Sequence, residues 1–96
     1  MPGIWTHGVW TVKDGRADEF VAGWCELVAI GLRHGGEEPK LLRDRERPNV
    51  FRSFGRWPGL EAVQRFREEI GPRVGAMNEL IESAEAVTLD EVYPGD

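Results

Sequence analysis

Apolar residues recur along this chain in two rhythms. Between Ile4 and Val12 the period is two, with Trp5, His7, Val9 and Thr11 on one face of an extended segment and Thr6, Gly8, Trp10 and Val12 on the other. Large groups on both faces predict a first strand covered on both sides. Lys13-Asp14-Gly15 predicts a turn, with Asp14 as a helix cap. From Arg16 to about Leu32 the period becomes helical. Phe20, Trp24, Leu27 and Val28 form one stripe, and Asp18, Glu19 and Glu26 fall largely off it. Gly31 and the His34-Gly35-Gly36 run are the stop signals.

Glu37-Glu38-Pro39 reads as a polar loop and Lys40 to Glu46 as a short charged strand. Arg47-Pro48-Asn49 is a turn into an aromatic strand, Val50 to Trp57, so the two strands form a hairpin. After Pro58-Gly59, Leu60, Val63, Phe66 and Ile70 mark a second helix, which Gly71-Pro72 is expected to interrupt. A further helical piece is predicted from about Arg73 to Ala84, with Val74, Met77, Leu80 and Ile81 on one side. The last strand is predicted over Ala86 to Tyr93, with Val87, Leu89 and Tyr93 on one face, before a Pro94-Gly95-Asp96 tail. The order βαββαβ predicts an α+β, ferredoxin-like domain spanning residues 1–96, a four-stranded antiparallel sheet with both helices on one face. The bare face would expose aromatic rings, so sheet-to-sheet packing of two copies in a homodimer is expected.

Composition narrows the partners. Seventeen acidic against twelve basic residues give a net charge of -5, which argues against nucleic acid. The arginines between Arg43 and Arg56 are interleaved with Asp44 and Glu46, as in a strand pair with cross-strand ion pairs. Cys25 is the only cysteine, so no internal disulfide or multi-cysteine metal site can form, and its place beside the helix stripe predicts a buried, inert thiol. His7 and His34 alone make a poor ligand set, and no metal is expected. The first residues lack a basic region followed by an apolar run, and no stretch is long enough to span a bilayer. A soluble, cytoplasmic protein without membrane contacts is expected.

Four stretches carry a family resemblance: Trp10 to Gly15 followed by Glu19-Phe20, Leu41 to Asp44 with Arg47-Pro48, Phe51 to Trp57, and Leu60 to Val63. In them the chain resembles the antibiotic biosynthesis monooxygenase-type domain of the dimeric α/β-barrel superfamily, over nearly its whole length. The strand-ending Trp57, its turn and the helix that follows are the most specific part. The resemblance implies a dimeric barrel and a range of activities: cofactor-independent oxygenation of phenol or anthrone-like rings, haem cleavage, isomerisation or cyclisation. Haem-cleaving members pair a Trp at the position of Trp57 with a His on the next helix. Here that helix offers Phe66 and Arg67 and no His, which excludes haem ligation by that route.

A cofactor-free oxygenase must hold a flat ring, exclude water and stabilise an anion. His7 suits proton acceptance, Arg52 suits an enolate or phenolate, and Trp5, Phe54 and Trp57 suit a ring slot for a small aromatic, quinol or polyketide-like molecule. Each has a more ordinary structural use: His7 bonded to a backbone carbonyl, Arg52 in an ion pair, Trp57 closing the core under the helix. Ser53 and Gly55 leave a gap on one face of their strand, which serves either close helix approach or ligand space. Two readings follow, a cofactor-independent monooxygenase and a non-oxygenase binding or accessory barrel; a ligand-free structural dimer is a third. A closed apolar pocket on the helix-free sheet face, with His7 or Arg52 turned into it, is the feature that favours the enzyme.

Overall fold

Phe20, with no exposed surface, and Val12, at 1% exposure, mark the centre of the fold in a computed structural model that describes residues 3–95. The Phe20 ring lies tilted between Trp10, 5.4 Å away, and Phe51, 5.2 Å away. Leu27, Met77, Leu80 and Ile81 complete the cluster. Strand residues and two helix stripes thus meet in one apolar layer.

The elements are β1 (Ile4–Val12), α1 (Ala17–Arg33), β2 (Glu37–Arg43), β3 (Val50–Trp57), α2 (Leu60–Asn78) and β4 (Ile81–Asp90). The sheet order is β2-β3-β1-β4, antiparallel throughout. This is the expected ferredoxin-like arrangement, with both helices on one face. β1 and β3 have the bounds that their alternation predicts. α1 ends in a Schellman closure: Gly36 N–H donates to Gly31 O at 2.9 Å, Gly35 N–H donates to Leu32 O at 3.2 Å, and Gly35 takes φ +88°. His34 caps this end, and its Nε2 lies 2.8 Å from Glu69 Oε1 of α2. Arg33 donates to the other oxygen of the same carboxylate, which clamps the two helices together. The His34 contact, seconded by Arg33, holds the Glu69 carboxyl below the ordinary carboxylate range.

Several local expectations are corrected. α2 runs unbroken through Pro72. Gly71 has no Cβ to clash with the proline ring, and Glu68, whose carbonyl loses its donor, is exposed to water. The chain after Asn78 is not helical to Ala84, because Ile81 already pairs with Val12 on β1 and Lys13 N–H donates to Leu80 O. Tyr93 lies beyond β4, while Val87 and Leu89 do share one face; of the tail, Asp96 lies outside the described residues. β2 begins at Glu37, since an edge strand tolerates Pro39, and its register shifts between Glu37 and Lys40, with Glu38 at φ +51°. Asp14 does not cap α1; Arg16 holds that position, and Asp14 accepts a hydrogen bond from the Asn49 side chain. Cys25 is exposed, not buried, because it falls between the stripe residues on the outer side of α1. No helix among the described residues is long and apolar enough to cross a membrane.

Candidate functional site

Trp10 and Val12 on β1 and Phe51 on β3 pack into the core under the helices. Residues at two-residue steps from them share that face: Thr6 and Gly8 on β1, and Ser53, Gly55 and Trp57 on β3. Trp24, Leu27 and Val28 of α1 and Phe66 and Ile70 of α2 face them across the layer. Gly8, Ser53 and Gly55 are too small to fill the interval, and a cleft of about 190 Å³ remains. The gap at Ser53 and Gly55 is therefore space, not close helix approach. It lies on the helix side of the sheet and not on the helix-free face where a pocket is expected, because the small residues share the parity of Trp57 and not that of His7 and Arg52.

Trp57 Nε1–H donates to Thr6 Oγ1 at 2.9 Å, and Trp10 Nε1–H donates to Ser53 Oγ at 2.9 Å. Both indoles are thus fixed, and their polar atoms are satisfied within the wall. The Trp57 and Phe66 rings meet at 4.9 Å with a tilt of 41°. Among the residues that line the cleft the charged ones are Glu37 and Arg67, and the Glu37 carboxylate is drawn to Arg56 on the other face of the sheet. An apolar cavity of about 150 Å³ is known to take benzene, so this cleft suits a flat body of one or two rings.

Of the five residues singled out in the sequence, Trp57 lies in the cleft, 7% exposed. The other four belong to the opposite face. His7 and Phe54 border the cleft as strand residues, but alternation sends their rings to the other side, where they stack at 4.7 Å and 11°. His7 Nε2 is shielded there without a hydrogen-bond partner among the described residues. Arg52 stands opposite Val9 and Leu42, and no ion pair among the described residues includes it. Trp5 donates its indole N–H to Glu91 Oε1 at 2.7 Å, and Arg56 Nε donates to the same oxygen at 3.1 Å. The Trp5 hydrogen bond first, and then Arg56, keep the Glu91 carboxyl below the ordinary range. Arg56 also lies 3.8 Å from Glu37 on β2, a cross-strand pair of the expected kind.

Trp10, Trp24, Phe66, Gly8 and Arg67 are cleft residues that the sequence does not single out as a site, and the stripe places Trp24 in the core. Parity is the signal available. Trp57 is an odd number of residues from Phe54 and Arg52, so one strand cannot bring all three to one face. Trp57 shares parity with Ser53 and Gly55, the two residues that open the cleft.

No family model matches the sequence, and no curated protein matches it significantly. Solved structures do match in fold. SnoaB, a cofactor-independent oxygenase from Streptomyces nogalater, solved as a mutant, aligns with a TM-score of 0.82 at 23% identity over 96% of this chain and 97% of that one. A proposed antibiotic biosynthesis monooxygenase from Bordetella bronchiseptica aligns with a TM-score of 0.82 at 18% identity, over 96% and 99% of the two chains. A second such protein, from Nitrosomonas europaea, gives 0.85 at 14% identity over 98% and 94%. The chain has the fold of the antibiotic biosynthesis monooxygenase-type domain.

Proposed function

We propose that this protein is a cofactor-independent monooxygenase that acts on a planar phenolic, quinol or anthrone-like molecule held in the cleft between sheet and helices. The aromatic-walled opening over Gly8, Ser53 and Gly55 carries this reading, on a fold shared with a cofactor-independent oxygenase. The substrate supplies the electrons. An anthrone loses a proton from its ring CH2 and a phenol or quinol from its hydroxyl. The resulting anion reduces dioxygen to a ring-bound peroxide, which takes the proton back and loses water. Thus CH2 plus O2 becomes a carbonyl plus water, or a phenol's ring C–H and O–H plus O2 become a quinone plus water. The protein orients the ring against the apolar walls of Trp57, Phe66 and Trp24 and places the developing anion near a cation. The binding-barrel reading rests on a different observation: the His7 ring, the neutral-pH base expected from the sequence, is on the other face of the sheet.

Oxygen uptake separates the two. Anthrones, dihydroxynaphthalenes and hydroquinones are to be supplied without cofactor and with a metal chelator present. Catalysed uptake that survives the chelator is expected. Binding of these compounds without catalysed uptake would assign the cleft to a carrier or accessory role.

The same proposal includes a homodimer through the helix-free face. Val87 and Leu89 there remain 48% and 44% exposed, beside Trp5, Val9 and Phe54. Val9 is flanked by Arg52 on β3 and Glu85 on β4. A two-fold axis along β1 places Arg52 of one copy over Glu85 of the other, so the face is complementary to itself in charge as well as apolar character. Sedimentation is expected to show a dimer that dissociates on dilution. Arg52→Glu and Glu85→Arg are each expected to weaken it, and the double exchange to restore it. A concentration-independent monomer would rule this interface out.

A further inference from the structure

We infer that Arg67 makes the cleft selective for anionic aromatics, with the ring among the Trp and Phe side chains and the acidic substituent turned toward β4. This rests on the cleft being the ligand site proposed above. Among the described residues, Arg67 is the only arginine or lysine that lines the cleft, and it does so from α2. Its Nη2 donates to the Thr88 hydroxyl of β4 at 3.4 Å, a weak tether that holds the guanidinium over that edge. None of the ion pairs among the described residues includes Arg67. This contrasts with Arg16, Arg33, Arg47, Arg56 and Arg65, each of which has a carboxylate partner.

Glu37 also borders the cleft, from β2, but it stands opposite Arg56 and its carboxylate lies 3.8 Å from that guanidinium, on the sheet face of Trp5 and Glu91. Among the described residues that line the cleft, Arg67 therefore supplies the charge, at the β4 edge of the sheet. An acidic group gains at that edge, which fixes the direction in which a ring enters. A carboxylate is matched by the planar donor fork of an arginine better than by a lysine. The overall charge of -5 makes a local cation the more necessary for an acidic ligand.

The test compares 2-naphthoate with its neutral isostere 2-naphthamide, followed by tryptophan quenching and by calorimetry, on the full chain at low salt. Naphthoate is expected to bind roughly five-fold tighter, the upper end for a solvent-accessible ion pair. Arg67→Gln is expected to remove that preference, so that the two compounds bind alike. Arg67→Glu is expected to favour 2-naphthylmethylammonium over naphthoate. Arg67 is exposed, so both variants should melt like the parent, which a thermal scan verifies. Equal binding of the two isosteres by the parent protein overturns the role of Arg67 while the cleft stands as a ligand site. A preference that persists in Arg67→Gln does the same. Failure of both compounds to bind removes the cleft reading, and the inference with it.

Discussion

Phe20→Ala is expected to be the most damaging single truncation, at about 3–5 kcal/mol. Phe20 has no exposed surface and lies at the point where β1, β3 and α1 converge. Its ring touches Trp10 on one side and Phe51 on the other, so its removal leaves a void walled by two rigid aromatic rings with little freedom to collapse. The cost is large against a total stability of roughly 5–15 kcal/mol for a domain. At about 4–8 °C per kcal/mol for a chain near this length, the melting temperature should fall by at least about 12 °C. Phe66→Ala is the control. Phe66 is only half-buried and borders the open cleft, so its loss enlarges a space that already exists. Thermal and urea melts of the two variants should separate clearly. A Phe20→Ala protein as stable as Phe66→Ala would move the centre of the core away from Phe20.

The same contrast between filled and unfilled space explains what is legible in the sequence. Ile4 to Val12 and Val50 to Trp57 can be read to the residue, because alternation and flanking turn residues agree there. The α1 stripe is legible for the same reason. The errors occur where a tertiary partner outweighs a local signal. Pro72 reads as a break because an interior proline removes a donor, but Gly71 and a solvated turn let α2 continue. Ile81 to Ala84 has a helical pattern in isolation, and the unpaired edge of β1 draws it into β4. Pro39 looks like a loop residue until the strand that contains it proves to be an edge.

The site is half legible. Trp57 stands on the sheet face that borders the cleft, whereas His7, Arg52, Phe54 and Trp5 belong to the other face. When both faces of a strand carry rings, period two sorts residues into two sets without saying which set the helices cover. Here Gly8, Ser53 and Gly55 settle it. A face of small residues between large ones is where a helix layer stands off, and Trp10 and Trp57 flank that opening. Arg67 carries no signal at all in the sequence, since a helix arginine is ordinarily solvated. Only the proximity of α2 to β4 makes it a cleft residue.

Gly55→Leu is expected to close the cleft without unfolding the protein. A Cβ at Gly55 lies 3.4 Å from Trp57 Nε1 and 3.6 Å from Thr6 Oγ1, within ordinary packing distance, and the leucine branch then extends into the space a ring would occupy. A strand interior gains from losing glycine, which offsets part of any crowding. Affinity for a naphthalene-sized ligand should drop at least about ten-fold, equivalent to about 1.4 kcal/mol, while the melting temperature stays within a few degrees of the parent. Gly8→Ala should do the reverse. Its Cβ would sit 2.7 Å from Ser53 Oγ and 2.8 Å from Trp10 Nε1, so the bond between those two side chains must break or the strands must shift. That variant should lose roughly 1–3 kcal/mol of stability through overpacking, and the loss should be present without any ligand. Calorimetric binding and thermal melts on both variants give a two-by-two result. Loss of affinity in Gly55→Leu with an unchanged melt puts the ligand over Gly55, between the sheet and the helices; retained affinity in that variant would put it elsewhere on the molecule.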